Sequence, residues 1–512
     1  MPPAPRNAAG QSFPVVGVGA SAGGLEAFTA LLKALPADSG MALLLVQHLD
    51  PKHESKLPEL LAKVTAMKVV EARNGMAIRP DVVFVIPPNA SMALSGGRLR
   101  LTPRGQERVP HLAVDFLFKS LAENQKSRAI GVVLSGTGAD GTQGVAEIKA
   151  AGGITMAQDG ESARYSGMPA SAEQSGRVDF VLAPEAIARE LVRIGRHPYL
   201  SRQEEQLPIA SDGNHFKRIL ALVRSATGVD FNQYRETTLR RRVQRRMAVH
   251  SQPDLAAYIA YLEKNRPEIH TLYEDLLITV TSFFRDPAAF DALQSMVFPA
   301  LMKHSPDAIR VWSAGCASGQ EPYSLAMALL EFLEDRPQRP SVQIFATDIA
   351  DGKSVERART GLYPDTIEAE VSPERLRRFF TRELGGYRIL KSVRELCVFA
   401  RQNMIADPPF SRIDLISCRN ALIYLSPPAQ RRVLETFHFA LAPGGFLMLG
   451  ASETVGEHSD LFGVVEKKHR IYSRKVTATP PYLNTASNPQ AGRLMQARSP
   501  QQNAAGDRKS VV

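Results

Sequence analysis

The sequence predicts an α/β protein made of two doubly wound, mostly parallel-sheet domains, the second preceded by a small helical subdomain. Three observations carry this. Apolar runs alternate with amphipathic stretches over residues 12–195 and again over 286–475. Each region opens with an apolar run cut short by a glycine-rich turn before a helix-like stretch, at Val15 to Leu35 and at Ile309 to Leu333. Between them, residues 214–285 show helical periodicity without strand-like runs. Residues 196–213, polar and broken by Pro198 and Pro208, read as a linker. Residues 476–512, rich in Pro, Ala, Asn, Gln and Ser, read as a disordered tail.

A chain of 512 residues has room for about two to four domains, each able to bury its own core. Hydrophobic residues at 44% and charged residues at 22% are ordinary for a globular protein. The three cysteines, Cys316, Cys397 and Cys418, have neither zinc-site nor disulfide spacing, so no metal is expected and a cytoplasmic setting is. No signal peptide and no apolar run of membrane-spanning length is present, which argues against membrane insertion. A net charge of +10 favours an acidic partner. The densest basic cluster is Arg235, Arg240, Arg241, Arg242, Arg245 and Arg246 on one expected helix. Arginines on most faces of a helix are expected to be solvated.

In the first domain the strands are expected at Phe13 to Val18, Met41 to Gln47, Val82 to Ile86, Ala129 to Leu134, Ile154 to Ala157 and Val178 to Leu182. After the first strand, Gly17-x-Gly19-x-x-Ala22 fits a dinucleotide cradle, and Gly19-x-Ser21-x-Gly23 fits a nucleophile elbow. Both stay open at this point. In parallel sheets reactive groups gather where strands end. Ser21, His48 and Asp140 each follow an apolar run. A serine hydroxyl needs an imidazole to take its proton, and the imidazole needs a carboxylate to fix its tautomer. The Ala22 N–H, at the head of the helix, suits an oxyanion. A dinucleotide cradle would instead want an acid after the second strand, which ends in Gln47-His48.

The motifs Gly19-Ala20-Ser21-Ala22-Gly23-Gly24, Gln47-His48 and Gly136-Thr137-Gly138-Ala139-Asp140-Gly141 resemble the catalytic domain of CheB-type chemotaxis protein-glutamate methylesterases. The resemblance implies that Ser21, His48 and Asp140 form a triad hydrolysing glutamate methyl esters on receptor signalling helices. Such enzymes usually carry an N-terminal phosphoacceptor domain over the active site. Here the catalytic segment opens near residue 12, so control of another kind is expected.

Helices are expected next at His215 to Ala226, across the arginine cluster, at Leu255 to Lys264 and at Ile269 to Leu277. The run Ile309 to Ser313 then leads into Gly315-Cys316-Ala317-Ser318-Gly319, and the following strand, Val342 to Thr347, ends at Asp348. An acid at that strand end can accept both ribose hydroxyls of an adenosine, which favours a nucleotide-like cofactor. NAD and S-adenosylmethionine remain open on that pattern alone.

The stretches Thr279-Val280-Thr281-Ser282-Phe283-Phe284-Arg285-Asp286, Arg401-Gln402-Asn403-Met404 and Arg419-Asn420 to Tyr424 resemble CheR-type protein-glutamate methyltransferases over about residues 213–475. That resemblance implies S-adenosylmethionine as methyl donor, held by Thr279, Thr281, Arg285, Glu321, Asp348, Asn403, Met404, Arg419 and Asn420. It also implies a small antiparallel β insertion, where Tyr387 to Leu390 and Leu396 to Phe399 read as two short strands, and it lays the arginine helix along acidic receptor helices. A glutamate carboxylate is already nucleophilic and a sulfonium is a good leaving group, so Arg285 and Tyr424 are expected to position the acceptor without acting as a base.

The sequence therefore points to a fusion of two opposed enzymes, which methylate and demethylate receptor glutamates, with chemoreceptor-type signalling helices as partner and receptor state or a regulatory partner selecting the activity. A nucleic-acid methyltransferase docking through the arginine helix lacks aromatic base-stacking residues beside the arginines. A non-catalytic scaffold would not need the intact triad, Arg285 and Tyr424. A dehydrogenase leaves each glycine turn less well explained.

Overall fold

The computed structural model describes residues 13–48, 55–103, 112–201, 213–277, 280–304, 307–337, 339–350, 352–456 and 458–477. Most of the expected linker and almost all of the expected tail lie outside these residues. Residues 198–201 of the linker form a helical turn whose Tyr199 and Leu200 are buried.

The first domain holds a seven-stranded sheet of β1 (Val15–Ala20), β2 (Ala42–Gln47), β3 (Lys68–Glu71), β4 (Val82–Val85), β5 (Ala129–Val133), β6 (Ile154–Gln158) and β7 (Phe180–Leu182). Its order is β3-β4-β2-β1-β5-β6-β7, and every pairing is parallel. The central strands are apolar throughout because both faces are covered. Along β1, Val16 and Val18 pack toward Phe28 and Leu31 of helix α1 (Gly24–Ala34). Val15 faces the opposite core with Leu117 and Phe118 of α2 (Ala113–Gln125) and Ile148 of α3 (Thr142–Ala150). The chain moves outward from β1 and returns at β5, so the crevice between the ends of β1 and β5 is the topological switch point. The short edge strand β3 and the hairpin of Ala90–Ser95 with Arg98–Pro103 were not expected from the sequence.

Four helices follow, Gly213–Thr227, α4 (Glu236–Val249), Leu255–Lys264 and α5 (Arg266–Leu276), close to the expected segments. The second sheet contains β8 (Ala308–Ala314), β9 (Ser341–Asp348), β10 (Cys397–Arg401), β11 (Ile413–Cys418), β12 (Leu441–Leu449), β13 (Phe462–Glu466) and β14 (Ile471–Arg474). Its order is β10-β9-β8-β11-β12-β14-β13, parallel as far as β12 and antiparallel beyond it. Helix α6 (Gln320–Leu333) starts after the Gly315–Gly319 turn, beside the switch point between β8 and β11.

The antiparallel insertion is present but differently composed. Gly386–Ile389 pairs with Leu362–Tyr363 and with Phe380–Glu383. The second expected run, at Leu396 to Phe399, instead belongs to β10, which pairs parallel with β9 at the edge of the main sheet.

The arginine helix departs from expectation most. Arg242, Arg245 and Arg246 are buried, because α4 packs against the first domain. Arg242 donates to the carbonyls of Lys149 (2.6 Å) and Ala150, at the negative end of α3. Arg245 donates to the Gly153 carbonyl (2.7 Å) and pairs with Asp179 of the first domain and Asp275 of α5. Arg246 pairs with Glu268 of α5. Burial alone would raise the Asp179 and Asp275 carboxyls; Arg245 and Lys149 beside them outweigh it and hold both below the usual carboxylate range. A buried guanidinium is tolerated only when its donors are satisfied, and carbonyls and carboxylates of two domains do so here.

Two candidate active sites

The first site sits at the ends of β1, β2 and β5. Ser21 follows β1, where Gly23 takes a left-handed φ of 74° before α1. Ser21 Oγ lies 3.3 Å from His48 Nδ1, and His48 Nε2 lies 2.8 Å from Asp140 Oδ2. With its proton on Nε2, the imidazole donates to the carboxylate and keeps the Nδ1 lone pair for the serine hydroxyl. Asp140 is 3% exposed and is held by the N–H groups of Val114 on Oδ2 and Asp115 on Oδ1, both at 2.9 Å. The imidazole therefore meets a carboxylate fixed from behind by α2.

The elbow needs close neighbours. Ser21 gives its N–H to the Ser135 carbonyl (3.0 Å), and Ser135 Oγ donates back to the Ala22 carbonyl (2.9 Å). A Cβ on Gly136 would lie 2.9 Å from Ser21 Cβ and closer still to the Met168 sulfur, so no larger residue fits beside Ser21. Behind Asp140, Asp115 accepts from Gly144 (2.6 Å) on one oxygen, while the other is buried without a partner among the described residues. Burial, and then the neighbouring Asp140 charge, push the Asp115 carboxyl well up. Asp115 drew no attention in the sequence, since it falls inside an ordinary amphipathic helix.

The second site is a cleft at the ends of β8, β9 and β11. Asp348, at the end of β9, accepts from Ala317 and Ala350 N–H groups, each at 2.8 Å, and burial raises its carboxyl. Asp348 lines the cleft. Glu321 accepts from Ser417 Oγ (2.7 Å) and Arg419 (3.0 Å), and Arg419 also reaches Asp286 (2.6 Å). Asn403 and Met404, after β10, line the cleft, as do Thr281 and Arg285. Thr279 lies outside the described residues. Tyr424 completes the rim, and burial pushes its phenol up.

The cleft has the chemistry to take a polar cofactor. Asn420 Oδ1 and Arg419 Nε are buried at its wall without partners among the described residues. Left-handed backbone at Phe284, Asp286, Ala317 and Asn420, none of them glycine, stores strain around it. Glu453 is a residue the sequence reading passed over. Its carboxylate accepts from the N–H groups of Gly450, Asn420, Leu422 and Ile423, fixing the loop that carries Arg419 to Tyr424. Its position just after β12 was the available signal.

One domain thus holds a hydrogen-bonded serine, histidine and aspartate, and the other a cleft lined by polar side chains. Residues 16–191 match the family described as CheB methylesterase. Residues 214–277 match the all-alpha domain, and residues 279–471 the SAM binding domain, of CheR methyltransferase. The chain is 31% identical over 259 residues to chemotaxis protein methyltransferase 1 of Pseudomonas aeruginosa, covering 49% of this chain and 94% of that protein. It is 40% identical over 439 residues to an uncharacterised 104.1 kDa protein of Rhodobacter capsulatus, covering 81% of this chain but only 46% of that protein. The chain thus spans about half the length of that relative. Among solved structures, the CheB methylesterase catalytic domain of Thermotoga maritima is 28% identical, with a TM-score of 0.33, over 35% of this chain and 98% of that one. The chain belongs to the CheB methylesterase and CheR methyltransferase families, fused in that order, and S-adenosylmethionine is the methyl donor of its second half. Among the described residues no helix is long and apolar enough to cross a membrane.

Proposed function

We propose that the chain is a bifunctional receptor-modifying enzyme of the cytoplasm, which esterifies glutamates on signalling helices of chemoreceptor-type proteins and hydrolyses the same esters to glutamate and methanol. The observation that carries this is a connected Ser21–His48–Asp140 chain in the same molecule as a cleft walled by Asp348, Glu321, Arg419 and Asn420.

In the hydrolytic half, Ser21 Oγ attacks the ester carbonyl while His48 Nδ1 takes its proton. The Ala22 N–H, at the head of α1, faces the developing oxyanion. His48 returns the proton to the departing methoxide, and water then releases glutamate from the acyl-serine by the same steps. Asp140 keeps the imidazole oriented and stabilises its cationic form.

In the other half, S-adenosylmethionine supplies a methyl group on a cationic sulfonium, so the acceptor needs no general base. Asp348 and Asn420 offer acceptors to the cofactor's hydroxyl and amino groups, with Thr281, Glu321, Asn403, Met404 and Arg419 completing the wall. Arg285 can hold one acceptor carboxylate through two N–H groups. Tyr424, kept neutral by burial, donates to it as well. Thr279 is proposed as a cofactor contact on the family resemblance alone.

The test offers labelled S-adenosylmethionine and a receptor cytoplasmic fragment to the full chain and follows labelled fragment and volatile methanol. Wild type labels and then releases; Ser21→Ala labels without release. Methanol release that survives Ser21→Ala would remove the triad from the mechanism.

A further inference from the structure

Asp140 stands in a glycine-rich turn, residues 136–141, where Gly138 and Gly141 take left-handed φ of 83° and 92°. Glycines give such a turn many conformations, so the carboxylate it carries is only as well aimed as the turn's two ends are fixed. The near end is fixed at Gly136, whose N–H donates to the Tyr165 carbonyl and whose carbonyl accepts from the Met168 N–H, each at 2.9 Å. The far end runs straight into α3, which starts at Thr142 behind a Gly141 N-cap. Glycine offers no side chain to accept from the free N–H groups of that helix head. The acceptor comes instead from α2: Asp115 Oδ1 takes the Gly144 N–H at 2.6 Å. The exchange is reciprocal, because Asp140 in turn accepts from the Val114 and Asp115 N–H groups at the head of α2. The two helices meet so closely here that a Cβ on Gly144 would lie 2.5 Å from Phe118 Cβ and 3.1 Å from Asp115 Oδ1.

We propose that Asp115 is a positioning residue of the hydrolytic reaction: by closing the head of α3 it fixes the far end of the 136–141 turn and so holds Asp140 where one carboxylate serves both His48 and the head of α2. The inference rests on the reading of Ser21, His48 and Asp140 as the hydrolytic triad. Asp115 touches no reacting atom and acts through Asp140 alone. Its second oxygen is buried without a partner among the described residues. Burial and the Asp140 charge push its carboxyl well up, favouring the neutral acid, so Asp115 can close the helix head without setting a second negative charge behind Asp140.

The test follows methanol release by the full chain from a pre-methylated receptor cytoplasmic fragment. Asp115→Ala removes the acceptor at α3 and lowers kcat about 10–100-fold with KM unchanged, the cost of a misaimed group. Asp115→Leu, which fills the space without accepting, gives the same loss and serves wherever the alanine variant fails to fold. Asp115→Asn keeps an oxygen for the Gly144 N–H and restores kcat. Adding Asp115→Ala to Asp140→Ala slows the residual reaction no further, whereas a general loosening of the fold would slow both backgrounds alike. Wild-type kcat in the alanine and leucine variants, a loss that asparagine leaves unrestored, or an equal further loss beside Asp140→Ala overturns the proposal and leaves the triad standing. Hydrolysis that survives Ser21→Ala overturns the triad reading and this inference with it.

Discussion

In the first domain the carboxylate at the switch point, Asp140, gives one oxygen to an imidazole that is itself within reach of a serine. In the second domain Asp348, at the end of β9, also gives both oxygens to backbone N–H groups, but among the described residues it hydrogen-bonds no side chain. Glu321, Arg419 and Glu453 behave like Asp348, each bonded to protein before any ligand is considered. One site is a relay of side chains, complete in itself; the other is a cradle whose polar groups first hold its walls in place. The same sheet topology thus supports two kinds of dependence on single residues. Removing a relay member should abolish chemistry, whereas removing a cradle member should loosen a shape.

The largest expected effect follows from the relay. Ser21→Ala or His48→Ala should slow methanol release by about 10⁴-fold or more, and the double variant should be no worse than either single one, because the residues act as a unit. Single-turnover hydrolysis of a pre-methylated receptor fragment measures this. Next comes the contact between the domains. Arg245→Met leaves Asp179 and Asp275 with Lys149 as the remaining strong partner, and urea denaturation should show a loss of about 3–5 kcal/mol.

The cradle should respond less. Asp348→Ala strands the Ala317 and Ala350 N–H groups and removes an acceptor, so affinity for S-adenosylmethionine should fall about 10–100-fold by calorimetry, with methanol release unchanged. An equal loss of methanol release would erase the distinction between the sites. The smallest effect is set by pH. Burial pushes the Glu370 carboxyl from 4.5 up to about 7. The folded chain therefore binds this proton more tightly than the unfolded one. Its contribution is complete below about pH 4.5 and is lost as pH rises through about 7. Glu370→Gln, which keeps an acceptor for the Phe283 N–H, should flatten that part of a stability-against-pH curve.

The meeting of Ser21, His48 and Asp140 was legible because each follows an apolar run, and parallel strands place such ends together. The cleft wall was legible at Asp348 for the same reason, and through family resemblance for the rest of its lining. Glu453 was not, since its role depends on four backbone N–H groups up to 33 residues away. The edge strand Lys68–Glu71 was too short and too polar to stand out. The arginine helix misled for a related reason. Periodicity shows how many faces carry charge, but the Lys149, Ala150 and Gly153 carbonyls that satisfy those charges lie 92 or 93 residues earlier in the chain.

Arg245 holds one carboxylate from each domain, Asp179 from the first and Asp275 from the second. Neither half can melt without stripping this cation of a partner in the other. A calorimetric scan of the intact chain should therefore give a single endotherm where two independent domains would give two, and Arg245→Met should split it.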